Sequence, residues 1–177
     1  VSASCWQFDG VDDYIDCGNS SNLHITTLTI SAWVKKDSTV SSAIFNGATN
    51  SYAFYYDGSN YLGFGRAGVS EVLSSSVITD SLWHNVAVTY DGSNALFYID
   101  GRLDVTRSYS DPTFSQTTKY IGKTSHGGGG AFLDGEVSGV KVFNNVLTAT
   151  EVKELYSGAS VPFKYKGANQ TEGIVNG

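Results

Sequence analysis

The sequence predicts an all-β sandwich or jelly roll with one short helix near its C-terminus. Three observations carry that expectation. Short β-prone segments recur along the chain, separated by Gly, Asn and Asp turns at short spacing. Glycine is abundant at 20 residues and proline scarce at 2, a composition that builds many tight turns. Tyr leads the aromatics with 11 copies, a residue suited to a pleated, half-buried surface.

The elements follow in order. "CWQF" and "YIDC" read as an opening hairpin around an Asp-Gly turn. "LTISAWVKK" (Leu28–Lys36) alternates Ile30, Ala32 and Val34 against Ser31, Trp33 and Lys35, which is strand periodicity. "SAIFNGA", "SYAFYY" and "YLGFGRAG" continue the series, followed by "SEVLSSSV", "WHNVAVTY", "ALFYID" and "RLDVTRSY". "KYIGKT" and "GEVSGVKVF" close it, with "VPFKY" (Val161–Tyr165) as a final candidate strand. "YDGSN" occurs twice, at Tyr56–Asn60 and Tyr90–Asn94, and Asp-Gly there accepts the positive φ of hairpin turns. In "LTATEVKELYSG", Thr148 and Glu151 are spaced as a capping box, Val152 and Leu155 form an apolar stripe, and Gly158 is placed to end the helix. The helix is expected to cover an edge or open end of the sandwich. "SHGGGGAF" (Ser125–Phe132) reads as a long loop, because four consecutive glycines are costly to order.

Residues 1–165 read as one domain and 166–177, rich in Gly and Asn, as a linker or tail. The net charge is −6 and Lys and Arg are nowhere clustered, which argues against nucleic acid and anionic membrane surfaces. No apolar stretch is long enough for a spanning helix, and no secretion signal is visible. The chain lacks Met even at position 1, so an excised domain or mature product of a longer protein is expected. The two cysteines, Cys5 and Cys17, flank the opening hairpin. Pairing centred on Val11 would face them for a disulfide, whereas a one-residue slip would set Cys5 beside Gly18 and leave Cys17 as a buried thiol.

"FDGVDDYID", "LTISAWVK", "WHNVAVTYDGSNALFYIDG" and "FLDGEVSGVKVFNNVLTATEVKEL", in that order, resemble the laminin-G-like domains of the concanavalin A-like lectin/glucanase superfamily, in the group found in bacterial, marine and phage multidomain proteins. The resemblance runs from about Cys5 to Gly158. It implies a two-sheet antiparallel jelly roll with one concave sheet. It also implies ligand binding, usually of carbohydrate, and often a structural calcium ion. Relatives commonly carry an acidic residue where Ser138 stands, so one implied carboxylate is missing here.

Calcium takes hard oxygen ligands, and Asp9, Gly10, Asp12 and Asp13 could offer several from one turn. Asp134 could add another if the late strand lies beside the first. The competing reading is a soluble turn. Glucanases of the superfamily place acids at alternating positions on one strand, as paired-carboxylate chemistry requires. No Glu-x-Asp-x-Glu occurs, and Asp100 and Asp104 flank a turn. His24, His84 and His126 are scattered, with His84 expected to be structural. The chain is therefore expected to be non-catalytic.

Sugar binding needs flat aromatic platforms beside planar polar groups. Trp33 and Tyr98 alternate away from apolar neighbours and so point to the outer faces of their strands. Tyr55 and Tyr61 flank a "DGSN" turn, Arg66 follows, and His126 sits in the glycine loop. These six are the candidate carbohydrate contacts, with rim loops near 46–61 and 125–131. The alternative for each aromatic is a core or end-covering role, the role expected of Trp83. The expected function is a carbohydrate-binding module of a larger extracellular, cell-surface or virion-associated protein, with a polysaccharide or glycan and neighbouring domains as partners. A structural or protein-adhesion spacer is the alternative, and a glycan-cleaving enzyme the least expected reading.

Overall fold

A computed structural model describes residues 5–48, 50–110, 113–124 and 131–157. His126, Gly158, the strand expected at Val161–Tyr165 and the tail lie outside these. Among these residues twelve strands and one α-helix, with a short 3-10 turn at Ser21–Leu23, are arranged in chain order: β1 (Trp6–Asp9), β2 (Ile15–Asp16), β3 (Leu28–Lys36), β4 (Ser42–Gly47), β5 (Tyr52–Tyr56), β6 (Tyr61–Arg66), β7 (Ser70–Val77), β8 (His84–Tyr90), β9 (Asn94–Ile99), β10 (Arg102–Ser108), β11 (Lys119–Ile121), β12 (Asp134–Phe143) and α1 (Ala149–Ser157). They form two six-stranded antiparallel sheets, β1-β12-β3-β8-β9-β10 and β2-β11-β4-β5-β6-β7. This is the jelly-roll sandwich that the segment pattern predicts.

Period-2 alternation explains the core. Ile30, Ala32 and Val34 of β3 and Val86 and Val88 of β8 face Tyr52, Phe54 and Tyr56 of β5 and Leu62 and Phe64 of β6. Phe64, Tyr90, Tyr109 and Phe114 make an aromatic centre, with Phe64 and Tyr90 centroids 5.2 Å apart. At each end of β5 a lysine from another strand, Lys119 of β11 or Lys36 of β3, turns inward. Lys119 Nζ lies 4.9 Å from the Tyr52 ring and Lys36 Nζ 4.9 Å from the Tyr56 ring.

The expected opening hairpin does not form. β1 pairs with β12 in the first sheet, and β2 pairs with β11 in the second. The Asp-Gly turn that suggested a hairpin instead begins a crossover between sheets. The cysteines are therefore apart and free: Cys5 Sγ donates to Glu136 Oε2 at 3.2 Å, and Cys17 packs against the core. Trp83 also departs from expectation. It precedes β8 and is 38% exposed.

Helix α1 starts where the capping box predicts. The Thr148 N–H donates to Glu151 Oε2 at 2.7 Å, and the Glu151 N–H donates back to Thr148 Oγ1 at 3.3 Å. The helix lies on the outer face of the first sheet rather than over an edge. Val152 and Leu155 pack there on Ala87, Tyr98 and Leu147. At one lateral edge of the sandwich, β7 and β10 are edge strands that close on each other. Asp104 accepts the Ser75 and Ser76 N–H groups at 2.6 and 3.1 Å, while Arg107 Nε donates to the Leu73 carbonyl at 2.8 Å. These side chains occupy backbone groups that an exposed edge would offer to other chains.

Candidate functional site

The outer face of the second sheet has no helix on it among the described residues. Its strands read large inside and small outside. Tyr52, Phe54 and Tyr56 point into the core, while Ala53 and Tyr55 point outward beside Ala43 and Ala67. The result is a groove of about 220 Å³ lined by Ser41, Asn46, Ala53, Tyr55, Asp57, Ala67, Glu71 and Thr124.

Tyr55, 9% exposed at the groove floor, is its central feature. A Cβ added at Gly63 would fall 2.2 Å from Tyr55 Cζ, so the ring lies across the glycine and no side chain fits beneath it. The Tyr55 hydroxyl donates to Glu71 Oε2. Burial first, then this hydrogen bond and the nearby carboxylates, hold the phenol well above its ordinary pKa, so it stays a donor. Asp57 Oδ1 accepts the Ser59 and Tyr61 N–H groups, both at 2.8 Å, which fixes the loop at one wall. Asn46 is 2% exposed and its Nδ2 donates to the Lys123 carbonyl at 3.4 Å. Tyr120 stands opposite Asn46 across the β11–β4 pair, extending the same face toward Tyr14 and Phe132.

Of the expected carbohydrate contacts, Tyr55 alone lines this groove among the described residues. Tyr61 and Arg66 are at opposite ends of β6, roughly 17 Å apart, so they cannot both flank Tyr55 closely. Arg66 donates its backbone N–H to the Tyr109 oxygen at 2.8 Å. Trp33 and Tyr98 do point outward from the core, but α1 covers their face. Trp33 stacks on Tyr156 with centroids 5.6 Å apart, and Tyr98 is 2% exposed. Neither therefore offers the open platform expected of it, because the alternation that turns a side chain outward does not show what packs over it. His126 lies outside the described residues, although Thr124 of the groove directly precedes that stretch.

The acidic turn is the second candidate. Asp9 and Asp134 are cross-strand partners, and Gly10 N–H donates to the Leu133 carbonyl at 3.0 Å, so the late strand lies beside the first as the calcium expectation requires. Carboxylate oxygens of Asp9, Asp12 and Asp13 come within 4.8 Å of one another, all exposed. Asp9 also lines a cavity of about 390 Å³, with Gly10, Ser38, Phe132 and Asp134 among others. The turn is also self-supporting. Asp9 Oδ1 accepts the Val11 N–H at 2.8 Å, and amide bonding of this kind draws the Asp9 carboxyl below its ordinary pKa. Ser138 pairs with Trp33, roughly 13 Å along β12 from Asp134, so its identity does not bear on this cluster.

His84 holds structure. Its ring nitrogens contact Asp100 Oδ2 and Asp80 Oδ1, each at 2.8 Å. Burial alone would lower its pKa, and the two carboxylates outweigh burial and raise it. Asp100 Oδ1 also accepts the Asn85 N–H at 2.9 Å, so the cluster anchors the β9–β10 turn to β8.

A laminin-G model of the concanavalin A-like lectin/glucanases superfamily matches residues 9–153. The chain belongs to this laminin-G-like family. No curated protein matches its sequence. Solved structures share the fold of this laminin-G-like domain at low identity. A Bacteroides ovatus protein described as a candidate carbohydrate-binding protein superposes with a TM-score of 0.69 at 17% identity, covering 87% of this chain and 47% of its own. The laminin-G-like domain thus spans about half of that protein. The CBM40 domain of the Ruminococcus gnavus IT-sialidase, bound to α2,3-sialyllactose, gives 0.67 at 13% identity, with 88% and 100% covered. Domain 4 of an extracellular arabinanase from Geobacillus stearothermophilus, in complex with arabinotriose, gives 0.61 at 18% identity, with 74% and 66% covered. Among the described residues of the laminin-G-like domain, no helix is long and apolar enough to cross a membrane.

Proposed function

We propose that this laminin-G-like domain is a non-catalytic carbohydrate-binding module, and that its glycan lies in the groove over Tyr55. The carrying observation is the Tyr55 ring laid on Gly63 with its hydroxyl fixed by Glu71, in a groove otherwise walled by small and polar side chains. Small residues let a sugar ring approach the sheet, while Asp57 and Thr124 supply acceptors and donors for hydroxyls. The groove carboxylates serve position rather than proton transfer: Glu71 is engaged by Tyr55, and Asp57 by backbone amides. Two structural neighbours solved with oligosaccharides support the reading. The parent chain is expected to be extracellular, cell-surface or virion-associated, where several modules add avidity.

Tyr55→Ala and Gly63→Val test it on a glycan array. Each should reduce glycan binding at least tenfold, about 1.4 kcal/mol, while far-ultraviolet circular dichroism shows an unchanged fold. A silent array on the folded wild-type domain would replace this reading with a structural or adhesion spacer.

We further propose that the opening turn holds a structural calcium ion through Asp9, Asp12 and Asp13, aided by Asp134. The donor set is all hard oxygen, which fits calcium, and each carboxylate has two oxygens, so the amide bond at Asp9 Oδ1 leaves the other for an ion. Bound there, the ion would clamp the β1–β12 end of the first sheet. The melting temperature should rise with millimolar calcium and return on chelation, and Asp12→Asn/Asp13→Asn should abolish the response. An identical melt with and without calcium would make these carboxylates turn residues only.

A further inference from the structure

Beside the groove stands a cation whose place is set by rings rather than by an acid. Lys123 follows β11, and its Nζ lies 4.1 Å from the Tyr14 ring centroid, 5.2 Å from Tyr120 and 5.8 Å from Phe132. Those rings brace one another: Tyr14 meets Tyr120 edge-on at 5.7 Å, and Phe132 at 6.3 Å. Tyr14 is 44% exposed, so the patch faces solvent. An ammonium has three donors, and among the described residues Lys123 Nζ makes no hydrogen bond or ion pair. The patch is continuous with the groove. Tyr120 is the cross-strand partner of Asn46, Asn46 bonds the Lys123 carbonyl, and Thr124 lines the groove wall.

We propose that Lys123 with Tyr14, Tyr120 and Phe132 forms an anion subsite of the glycan groove, so that the ligand is an acidic polysaccharide whose carboxylate or sulfate meets Lys123. This rests on the glycan reading of the groove. A sugar presents a C–H face that stacks on a tyrosine ring, and its acidic substituent then needs a donor at the ring edge. Cation–π attraction already restrains the Lys123 side chain over the patch, so binding an anion costs it less rotamer freedom than a free surface lysine would lose. A cationic ligand would have to expel Lys123 from the same rings. Glu71, on β7, lies across β4, β5 and β6 from Lys123, so the acidic unit is placed at Lys123 and an uncharged unit over Tyr55; Asp9 and Asp134, which share a cavity with Phe132, confine the anion to the Lys123 side of the patch.

Native affinity electrophoresis distinguishes these statements. The gels contain polygalacturonate, the same polymer after carboxyl reduction, a sulfated galactan (carrageenan), its desulfated form, or neutral arabinan and galactan. The wild-type domain should bind at least one acidic polymer tenfold or more tighter than its neutralised counterpart, and the effective arm tells carboxylate from sulfate. Lys123→Gln should erase that difference with the fold intact, whereas Tyr55→Ala should weaken acidic and neutralised forms alike. Equal retardation by a polymer and its neutralised form, or no effect of Lys123→Gln, overturns the anion subsite and leaves the groove standing. No retardation by any polymer, neutral ones included, overturns the glycan reading and the subsite together.

Discussion

Phe64→Ala is expected to remove about 3–5 kcal/mol of unfolding free energy. Phe64 is fully buried and lies inside three aromatic partners, with centroids 5.2 Å to Tyr90, 6.0 Å to Tyr109 and 6.2 Å to Phe114. Truncation removes apolar surface from the core and leaves a cavity that large rings cannot collapse into without leaving their own contacts. For a domain of this size the loss corresponds to a fall of roughly 6–20 °C in melting temperature. Phe64→Leu keeps most of the volume and should cost less than half as much. Denaturant titration of both variants is the check. A loss below 1 kcal/mol for Phe64→Ala would mean that the two sheets do not meet around this ring. Phe64 also sits between Gly63 and Gly65, under the groove, so its packing holds the strand on which Tyr55 rests.

That strand shows why much of the fold was legible. In "YLGFGRAG" and "SYAFYY" the large residues alternate inward, and the sequence periodicity is the sheet periodicity. The same alternation held an overlooked signal for the site, because the bare positions between the large residues, Ala53, Gly63 and Ala67, mark a face left open. Local turn chemistry was less informative. The two "YDGSN" segments have one sequence and two conformations. In the first, positive φ falls on Asn60 at 68°, and in the second on Gly92 at 96°. What they share is the aspartate: Asp57 and Asp91 each accept two following backbone N–H groups. The opening Asp-Gly misled for the same reason. Its partner strands, β12 and β11, come more than a hundred residues later, and nothing within eleven residues can report them. Alternation places Trp33 and Tyr98 on the outer face of their strands, and only the packing of α1 shows that this face is covered. Lys123, Tyr14 and Phe132 come from three separate segments, so their meeting is a tertiary fact with no local trace.

The two inward lysines should make the domain more stable as pH rises from 7.5 to 9.5. Lys119 is fully buried, with Nζ donating to the Thr117 carbonyl at 2.7 Å, and burial lowers its pKa to about 8. Lys36 is 6% exposed, with Nζ donating to Asn60 Oδ1 at 3.0 Å; burial again brings it to about 8, the charge of Asp57 opposing the fall. Among the described residues neither side chain has a carboxylate within ion-pair distance, so desolvation of the ammonium is compensated there by a neutral acceptor and a ring face. In the unfolded chain both keep their protons to the ordinary value of 10.5. Below pH 8 both states are protonated, and the full cost of burying the charge is present. Between pH 8 and 10.5 the unfolded state binds more protons than the folded one, so unfolding becomes harder as pH rises. From pH 7.5 to 9.5 each lysine should add on the order of 2 kcal/mol. Cys5 and Cys17, raised above their ordinary 9.0, work against this near the top of the window, and the raised Tyr52 and Tyr56 do so above pH 10. Comparison with Lys36→Met and Lys119→Met cancels those contributions. At pH 7.5 each variant should be as stable as the wild type or more so, because a well-packed apolar chain replaces an uncompensated buried charge. At pH 9.5 that advantage should shrink or reverse. Denaturation midpoints that move in parallel for wild type and both variants across this range would show that the ammonium groups reach water, and that the tyrosine rings at the ends of β5 are not capped by buried cations.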